Sequence, residues 1–198
     1  CEENGQKFYL ITGKEKVFEN EIEGNIKQIN VSKNGYVSVV ISNTSYKSIV
    51  DVFDGSGKEI FKTNLMSRVV DISISQDNKY LAIAEVDLSG IIIKSRIQII
   101  SIELAKTDSE KAIQYKYEAT NNKLIMNIEY QEQNNLICMY NDSVDILQEQ
   151  NNKEIESFKN KKISFMTVQL NNRITLLEEK STGEYTADTK VRIIDPVT

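Results

Sequence analysis

Asp71-Ile72-Ser73-Ile74-Ser75-Gln76-Asp77-Asn78-Lys79-Tyr80-Leu81-Ala82-Ile83-Ala84 is the stretch that decides the fold. Apolar residues alternate with polar ones up to Ser75, a polar cluster follows, and a second apolar run starts at Tyr80. That pattern describes two strands joined by a tight turn. Gln28-Ile29-Asn30-Val31-Ser32-Lys33-Asn34-Gly35-Tyr36-Val37-Ser38-Val39-Val40 repeats it. Further copies have their first strands near Ile128 and Phe165, with polar turns at Glu132-Gln133-Asn134-Asn135 and Asn171-Asn172-Arg173. Asn, Asp and Gly suit these turns because they tolerate the left-handed backbone angles that short hairpins impose. The spacing of the first strands is irregular but centres on the ~40–50 residues of a four-stranded propeller blade.

The repeat predicts an all-β chain, a partial or open β-propeller of four-stranded antiparallel blades occupying 1–198. Residues 8–19 read as a partial blade, 26–63, 68–118 and 123–158 as complete blades, and 162–197 as a partial blade ending after its third strand. The second blade is lengthened by Leu104 to Glu110, and Ile113, Tyr115 and Tyr117 alternate as a strand. The alternative is an irregular β-sandwich with coincidental turns. An opening hairpin and a three-stranded last unit would duplicate the third strand of one blade. The chain is therefore expected to be part of a larger propeller, or an open arc whose blade edges pair with another copy as a homo-oligomer.

Composition fits a folded domain: 40% hydrophobic and 27% charged residues among 198. The net charge of −5 and pI near 5.0 come from charges scattered singly along the strands. Nucleic-acid binding needs clustered Lys and Arg, and the four Arg residues (Arg68, Arg96, Arg173, Arg192) share no motif. Nucleic acid is not an expected partner. No stretch reaches the ~18 apolar residues of a membrane span, and no signal peptide stands in the sequence, so the chain reads as a water-soluble piece. Cys138, within Leu136-Ile137-Cys138-Met139-Tyr140, reads as a small buried hydrophobe. Cys1 stands either as a lipidation site or as the boundary of the piece.

Candidate chemistry is sparse. Histidine is absent, which removes the commonest general base and metal ligand. Gly55-Ser56-Gly57-Lys58 lacks the spacing and following helix of a phosphate loop and reads as a hairpin turn. The acid pairs Asp51 with Asp54, Asp142 with Asp145, and Glu178 with Glu179 are expected on solvated strand faces among 29 acidic residues. The sequons at Asn30, Asn43 and Asn141 follow from an Asn-rich composition. Tyr80, Phe53 and Phe165 fall at inward positions and read as core. No catalytic, cofactor-binding or metal-binding residue is expected, and no cofactor.

Ser75-Gln76-Asp77-Asn78-Lys79-Tyr80-Leu81-Ala82-Ile83-Ala84 is similar to the "S-x-D-G-K-Y-L-A-V-A" phrase of TolB-like and WD40-like propellers, and Val52-Phe53-Asp54-Gly55-Ser56-Gly57-Lys58-Glu59-Ile60 resembles their "V-Y-D-x-x-G-K-E" hairpin. Asn78 stands where Gly is usual, and the Gly-His and Trp-Asp signatures do not occur. Over its length the chain resembles an uncharacterised family of Firmicute envelope proteins, in which a membrane anchor precedes a propeller-like ectodomain. The resemblance implies a bacterial protein on the extracytoplasmic face of a membrane; the alternative is cytoplasmic.

These readings point to a non-enzymatic protein-interaction scaffold of the bacterial cell envelope, since stiff blades hold binding loops in place. Two other classes stay open. One is a carboxylate-dependent glycan-active enzyme built from acids on different blades. The other is a sensor domain for a small ligand or peptide.

Overall fold

The computed structural model describes residues 5–108, 110–119, 123–149, 151–158, 162–168, 173–181 and 187–195, at 162–168, 179–181 and 187–189 for the backbone only. Its strands form five antiparallel sheets in chain order. The first is a hairpin, β1 (Lys7–Thr12) with β2 (Glu15–Glu21). Blade 1 follows as β3 (Asn25–Val31), β4 (Val37–Ser42), β5 (Ser48–Phe53) and β6 (Glu59–Leu65). Blade 2 comprises β7 (Arg68–Ile74), β8 (Tyr80–Asp87), β9 (Lys94–Ser101) and β10 (Ile113–Glu118). Blade 3 comprises β11 (Ile125–Tyr130), β12 (Leu136–Tyr140), β13 (Ser143–Gln148) and β14 (Asn151–Ser157). The last sheet holds β15 (Lys162–Val168), β16 (Ile174–Ser181) and β17 (Ala187–Ile194). Between β9 and β10 lies one short helix, α1 (Ile102–Ala105), capped by the Ser101 hydroxyl. The sequence pattern gave no sign of this turn of helix, because four residues are too few to show a period.

A sandwich would bury one shared interior. Here the apolar side chains divide into four separate layers, one between each pair of successive sheets. Phe8, Val39, Ile41 and Phe53 fill the first, and Val50, Val52, Ile72 and Ile83 the second. Ala84, Ile97, Ile128 and Tyr140 fill the third, and Ile137, Met139, Val144 and Leu176 the fourth. Sheets stacked in series, each leaning on the next, are the blades of a propeller-like fold.

Stacking explains the strand compositions. The middle strands are covered on both faces, so β4 is buried throughout Val37–Ile41 and β5 throughout Ser48–Phe53. The fourth strands β6, β10 and β14 lie at the blade margins, where buried and exposed positions alternate or mix.

Every first strand carries a register shift at the same place. Lys27 in β3, Val70 in β7, Met126 in β11 and Ser164 in β15 are the extra residues that the strand register skips. Such bulges bend the strand and re-aim the next side chain. Here the re-aimed residues are Gln28, Asp71 and Asn127, and they meet. The Asp71 carboxylate accepts hydrogen bonds from the side chains of Gln28 and Asn127 and from the Ile128 N–H at 2.9 Å. One carboxylate therefore ties the first strands of three blades.

Serine hydroxyls tie the other margin of the same interfaces. Ser48 and Ser95 lie in the first two positions of the third strands of blades 1 and 2, and their Oγ atoms accept from Val69 N at 2.9 Å and Ile125 N at 3.0 Å in the following blade. The hairpin makes the corresponding link through backbone, with Ile26 N donating to Gly5 O at 3.0 Å. β1 thus stands to β3 as β5 does to β7 and β9 does to β11.

Candidate interaction site

The turn read from the sequence works through its serine. Ser75 Oγ accepts from Tyr80 N at 2.9 Å and donates to Asp77 Oδ1 at 2.8 Å, while Asn78 takes φ +57°. Asn replaces Gly there because its short side chain is tolerated in the left-handed region. Partial burial opposes ionisation of Asp77, but hydrogen bonds from Ser75, Asn134 and Lys79 outweigh it and hold the carboxyl at about 2. Asn134 belongs to the matching turn of blade 3, and its Nδ2 lies 3.2 Å from Asp77 Oδ2.

This contact closes one side of a groove of about 400 Å³ between blades 2 and 3. Tyr80, Tyr115 and Tyr130 line it with Ile99, Leu136 and Leu147, and a rim of Gln133, Asn134, Asn135, Gln148, Glu149 and Asn151 surrounds it. The volume falls in the range of ligand pockets, and polar groups make up more than half of the accessible wall. Burial pushes the Tyr130 phenol well up, so the ring stays neutral at any physiological pH.

The rim is also where the backbone is held in sparsely populated conformations. Gln133 (φ +59°), Asn134 (φ +58°) and Glu149 (φ +51°) are three of the four non-glycine residues with positive φ among the described residues. For Gln and Glu this region costs about 1 kcal/mol each and persists only where surroundings enforce it, as they do at binding sites. No sequence signal announced the groove, since its tyrosines sit on three different strands. Tyr80 in particular, expected as core, is half-buried and lines the groove.

The acids singled out from the sequence are not on solvated faces, and this corrects that expectation. Asp51 and Asp145 are each 1% exposed and Glu178 is 9% exposed. Asp51 pairs with Lys62 at 3.2 Å, and burial raises its carboxyl above the usual range against the pull of that lysine. Asp145 is held by Lys123 at 3.2 Å, Ser143 at 2.9 Å and Asn152 at 2.7 Å. Glu178 faces Arg192 at 3.8 Å. Asp142 is half-buried in a bend, and Asp54 caps the Gly55–Lys58 turn, accepting from Ser56 N at 2.9 Å and Lys58 N at 3.1 Å. Asp51 and Asp145 sit on different blades, and the structure does not bring them together.

Register shows why these acids are inside. Asp51, Gln98, Asp145 and Arg192 occupy one equivalent place, the centre of the third strand, opposite Val39, Ile83, Cys138 and Leu176. Each is neutralised locally. Gln98 donates to Glu85 at 3.0 Å, which also accepts from Arg96 at 3.1 Å and from Ser67. Arg192 pairs with Glu156 of blade 3 at 2.6 Å.

Two further carboxylates escaped sequence reading. Asp71 is the three-blade tie described above, and burial raises its carboxyl although hydrogen bonds oppose this. Glu129, on the same first strand as Asn127, is pushed up to about 7 by burial and by the Asp71 charge. Cys138 is fully buried, as read, and burial pushes its thiol up. Cys1, Phe165 and Glu179 lie outside the described side chains. Among the described residues no group of three or more His, Cys, Asp or Glu is placed to hold a metal, and no helix is long and apolar enough to cross a membrane.

The chain belongs to the family described as a family of unknown function (DUF5711), whose model matches residues 1–195. No curated protein matches it in sequence. Among solved structures it is similar to TolB from Acinetobacter baumannii, at 16% identity and TM-score 0.56 over 92% of this chain and 43% of that one. It is also similar to the WD40 repeats of RRP9, at 14% identity and TM-score 0.52 over 78% of this chain and 45% of that one. The third likeness is to prolyl endopeptidases, at 12% identity and TM-score 0.56 over 87% of this chain and 27% of that one. The chain thus spans less than half the length of each of these propeller-containing structures. At these identities the likeness establishes the propeller-type fold.

Proposed function

We propose that this family member is a non-enzymatic protein-interaction scaffold, and that the groove between blades 2 and 3 receives an extended segment of a partner protein. The observation that carries the reading is the combination of three tyrosines with a carboxamide rim whose backbone is held at positive φ. Tyrosine offers a large contact area at low entropic cost, and carboxamides supply both donors and acceptors to a peptide backbone. Carboxylate catalysis is less well supported. Asp71 already accepts four hydrogen bonds, the fourth from its neighbour Ile72 N at 2.9 Å, and so is committed to holding blades together.

Placement in the bacterial envelope rests on the resemblance of the whole chain to a family of membrane-anchored envelope proteins. Protease accessibility of the tagged full-length protein in intact cells tests it. Association through the outermost sheets is supported by apolar rows on their outer faces. Tyr9, Ile11 and Val17 are exposed on the hairpin, and Val191 and Ile193 on β17. These rows suit either further blades or a second copy.

The groove is tested by selecting peptides on the immobilised chain from a displayed library, then measuring their affinity for Tyr115→Glu and Tyr80→Ala. Selected peptides should bind either variant at least about tenfold more weakly, the loss typical of truncating a central aromatic anchor. Peptides that bind wild type and both variants alike would refute the groove reading.

A further inference from the structure

At the end of blade 2 opposite the groove, the β8–β9 loop carries Leu88, Ile91, Ile92 and Ile93. All four are more than half exposed and Ile91 is fully so. Met66, in the neighbouring β6–β7 connection, is exposed to the same degree. The groove is at the Tyr80 end of β8 and the loop follows Asp87 at its other end, a separation of about 23 Å along an eight-residue strand.

Isolated exposed aliphatics need no explanation, but several on one loop mark a contact surface. The loop is not a collapsed hairpin turn. Asp87 Oδ1 accepts from Ser89 N at 2.9 Å and Ser89 Oγ at 2.6 Å, which fixes the loop's first bend. Gly90 and the aliphatic run then project beyond that bend without a polar side chain until Lys94.

The base of the loop is ringed by charge. Lys94 pairs with Glu118 at 3.5 Å, and Arg96 with Glu85 at 3.1 Å, with Glu118 at 3.7 Å and with Asp87 at 3.9 Å. Lys47 and Arg68 are exposed beside them with no carboxylate within 4 Å among the described residues, and the Lys47 charge helps to hold the Asp87 carboxyl below the usual range. Four cations, Lys47, Arg68, Lys94 and Arg96, thus face three engaged carboxylates, and the base of the loop carries an excess of positive charge.

We propose that this loop inserts into the interfacial region of an anionic lipid bilayer, with Leu88, Ile91, Ile92 and Ile93 among the acyl chains and Lys47 and Arg68 at the phosphate level. A convex aliphatic tip without hydrogen-bonding side chains suits a fluid that moulds to it. A protein pocket would have to be shaped to the tip, and the tip has no aromatic or arginine anchor of the kind that dominates protein interfaces. Cations flanking an apolar element are the pattern of surface-bound membrane segments. The assignment is independent of the groove, which would then face away from the bilayer.

The absence of tryptophan from the chain allows a direct assay. Ile92→Trp gives a single indole, whose emission is followed on adding vesicles of phosphatidylcholine with 30% phosphatidylglycerol (about, by mole, to mimic an anionic leaflet). The expected result is a blue shift and vesicle co-flotation, both weakened by salt. Ile91→Asp in the same background should lower the bound fraction about tenfold, and Lys47→Glu with Arg68→Glu should remove the preference for anionic over neutral vesicles. All of these positions are exposed, so the variants fold, which far-UV circular dichroism checks. An unshifted indole in the presence of bound vesicles, equal flotation of Ile91→Asp, or no vesicle binding at all overturns the proposal. So does burial of the indole by a purified protein partner but not by vesicles, since the loop would then be a protein contact.

Discussion

Replacing Asp71 with alanine should unlock three blades at once. The carboxylate accepts from the Gln28 and Asn127 side chains, from Ile128 N at 2.9 Å and from Ile72 N at 2.9 Å, and Asp71 is 6% exposed. Hydrogen bonds to an ionised group contribute about 1.5–3 kcal/mol each, and four of them would sum to roughly 6–12 kcal/mol if independent. They share one charge, and removing a carboxylate that burial already disfavours returns part of the sum. We expect a net loss of about 3–4 kcal/mol, the range seen when a buried polar hub is left with unpaired partners. At this chain length that corresponds to a fall in Tm of roughly 6–16 °C. Urea unfolding followed by circular dichroism at pH 7 measures it, with Asp54→Ala as the control for a carboxylate in an exposed turn. The double-mutant cycle with Asn127→Ala should show coupling above about 1 kcal/mol. A loss below about 1 kcal/mol, or one no larger than the control's, would show that the blades are held by apolar packing alone and that the tie is ornamental.

Glu129 supplies a pH dependence of definite sign. Its carboxyl is raised to about 7 in the folded chain from 4.5, so the folded state holds this proton more tightly. The associated stability is complete below pH 4.5 and drains away as pH rises to 7. At 1.36 kcal/mol per pH unit, discounted for the part of the side chain that meets solvent, Glu129→Gln should be about 1–2 kcal/mol more stable than wild type at pH 8 and should flatten this slope. Equal pH profiles for the two proteins would dispose of the argument. Gly57→Ala acts at the hairpin: Gly57 has φ +85°, and an added Cβ would stand 2.7 Å from Cγ of Phe18. Left-handed strain together with displacement of that ring should cost about 2 kcal/mol, and thermal unfolding no lower than wild type would contradict the packing described.

What could be read in the sequence, and what could not, divides along the range of the interactions. The turn from Ser75 to Tyr80 is closed by hydrogen bonds spanning at most five residues, so its residues announce it. The strand alternation was legible for the same reason, and with it the propeller class. The bulges at Lys27, Val70 and Met126 were not, because a bulge is a relation to the partner strand and these three side chains have nothing in common. Nor was the groove, whose tyrosines come from the start of β8, the middle of β10 and the end of β11. The buried acids were misplaced through an assumption about burial. A charge on a strand faces water in a sheet with one open face, whereas the third strands β5, β9 and β13 are covered on both.

That double coverage also explains why the copies diverge so far in sequence. The centre of the third strand must be neutral as a unit, and it need not be apolar. Asp51 with Lys62, Gln98 with Glu85 and Arg96, Asp145 with Lys123 and Arg192 with Glu156 satisfy the same backbone site with an acid, an amide, an acid and a base. Only the partner's sign has to follow. The first-strand positions behave likewise: Gln28, Asp71 and Asn127 are interchangeable as hydrogen-bonding groups so long as one accepts what its neighbours donate. The arrangement in blades 1 to 3 has its single acceptor in the middle, flanked by two donors. Substituting a donor at the centre, as in Asp71→Asn, leaves three carboxamides in a row that can still alternate oxygen and nitrogen. We expect that change to cost roughly half of what alanine costs, because one acceptor oxygen survives while the charge is lost.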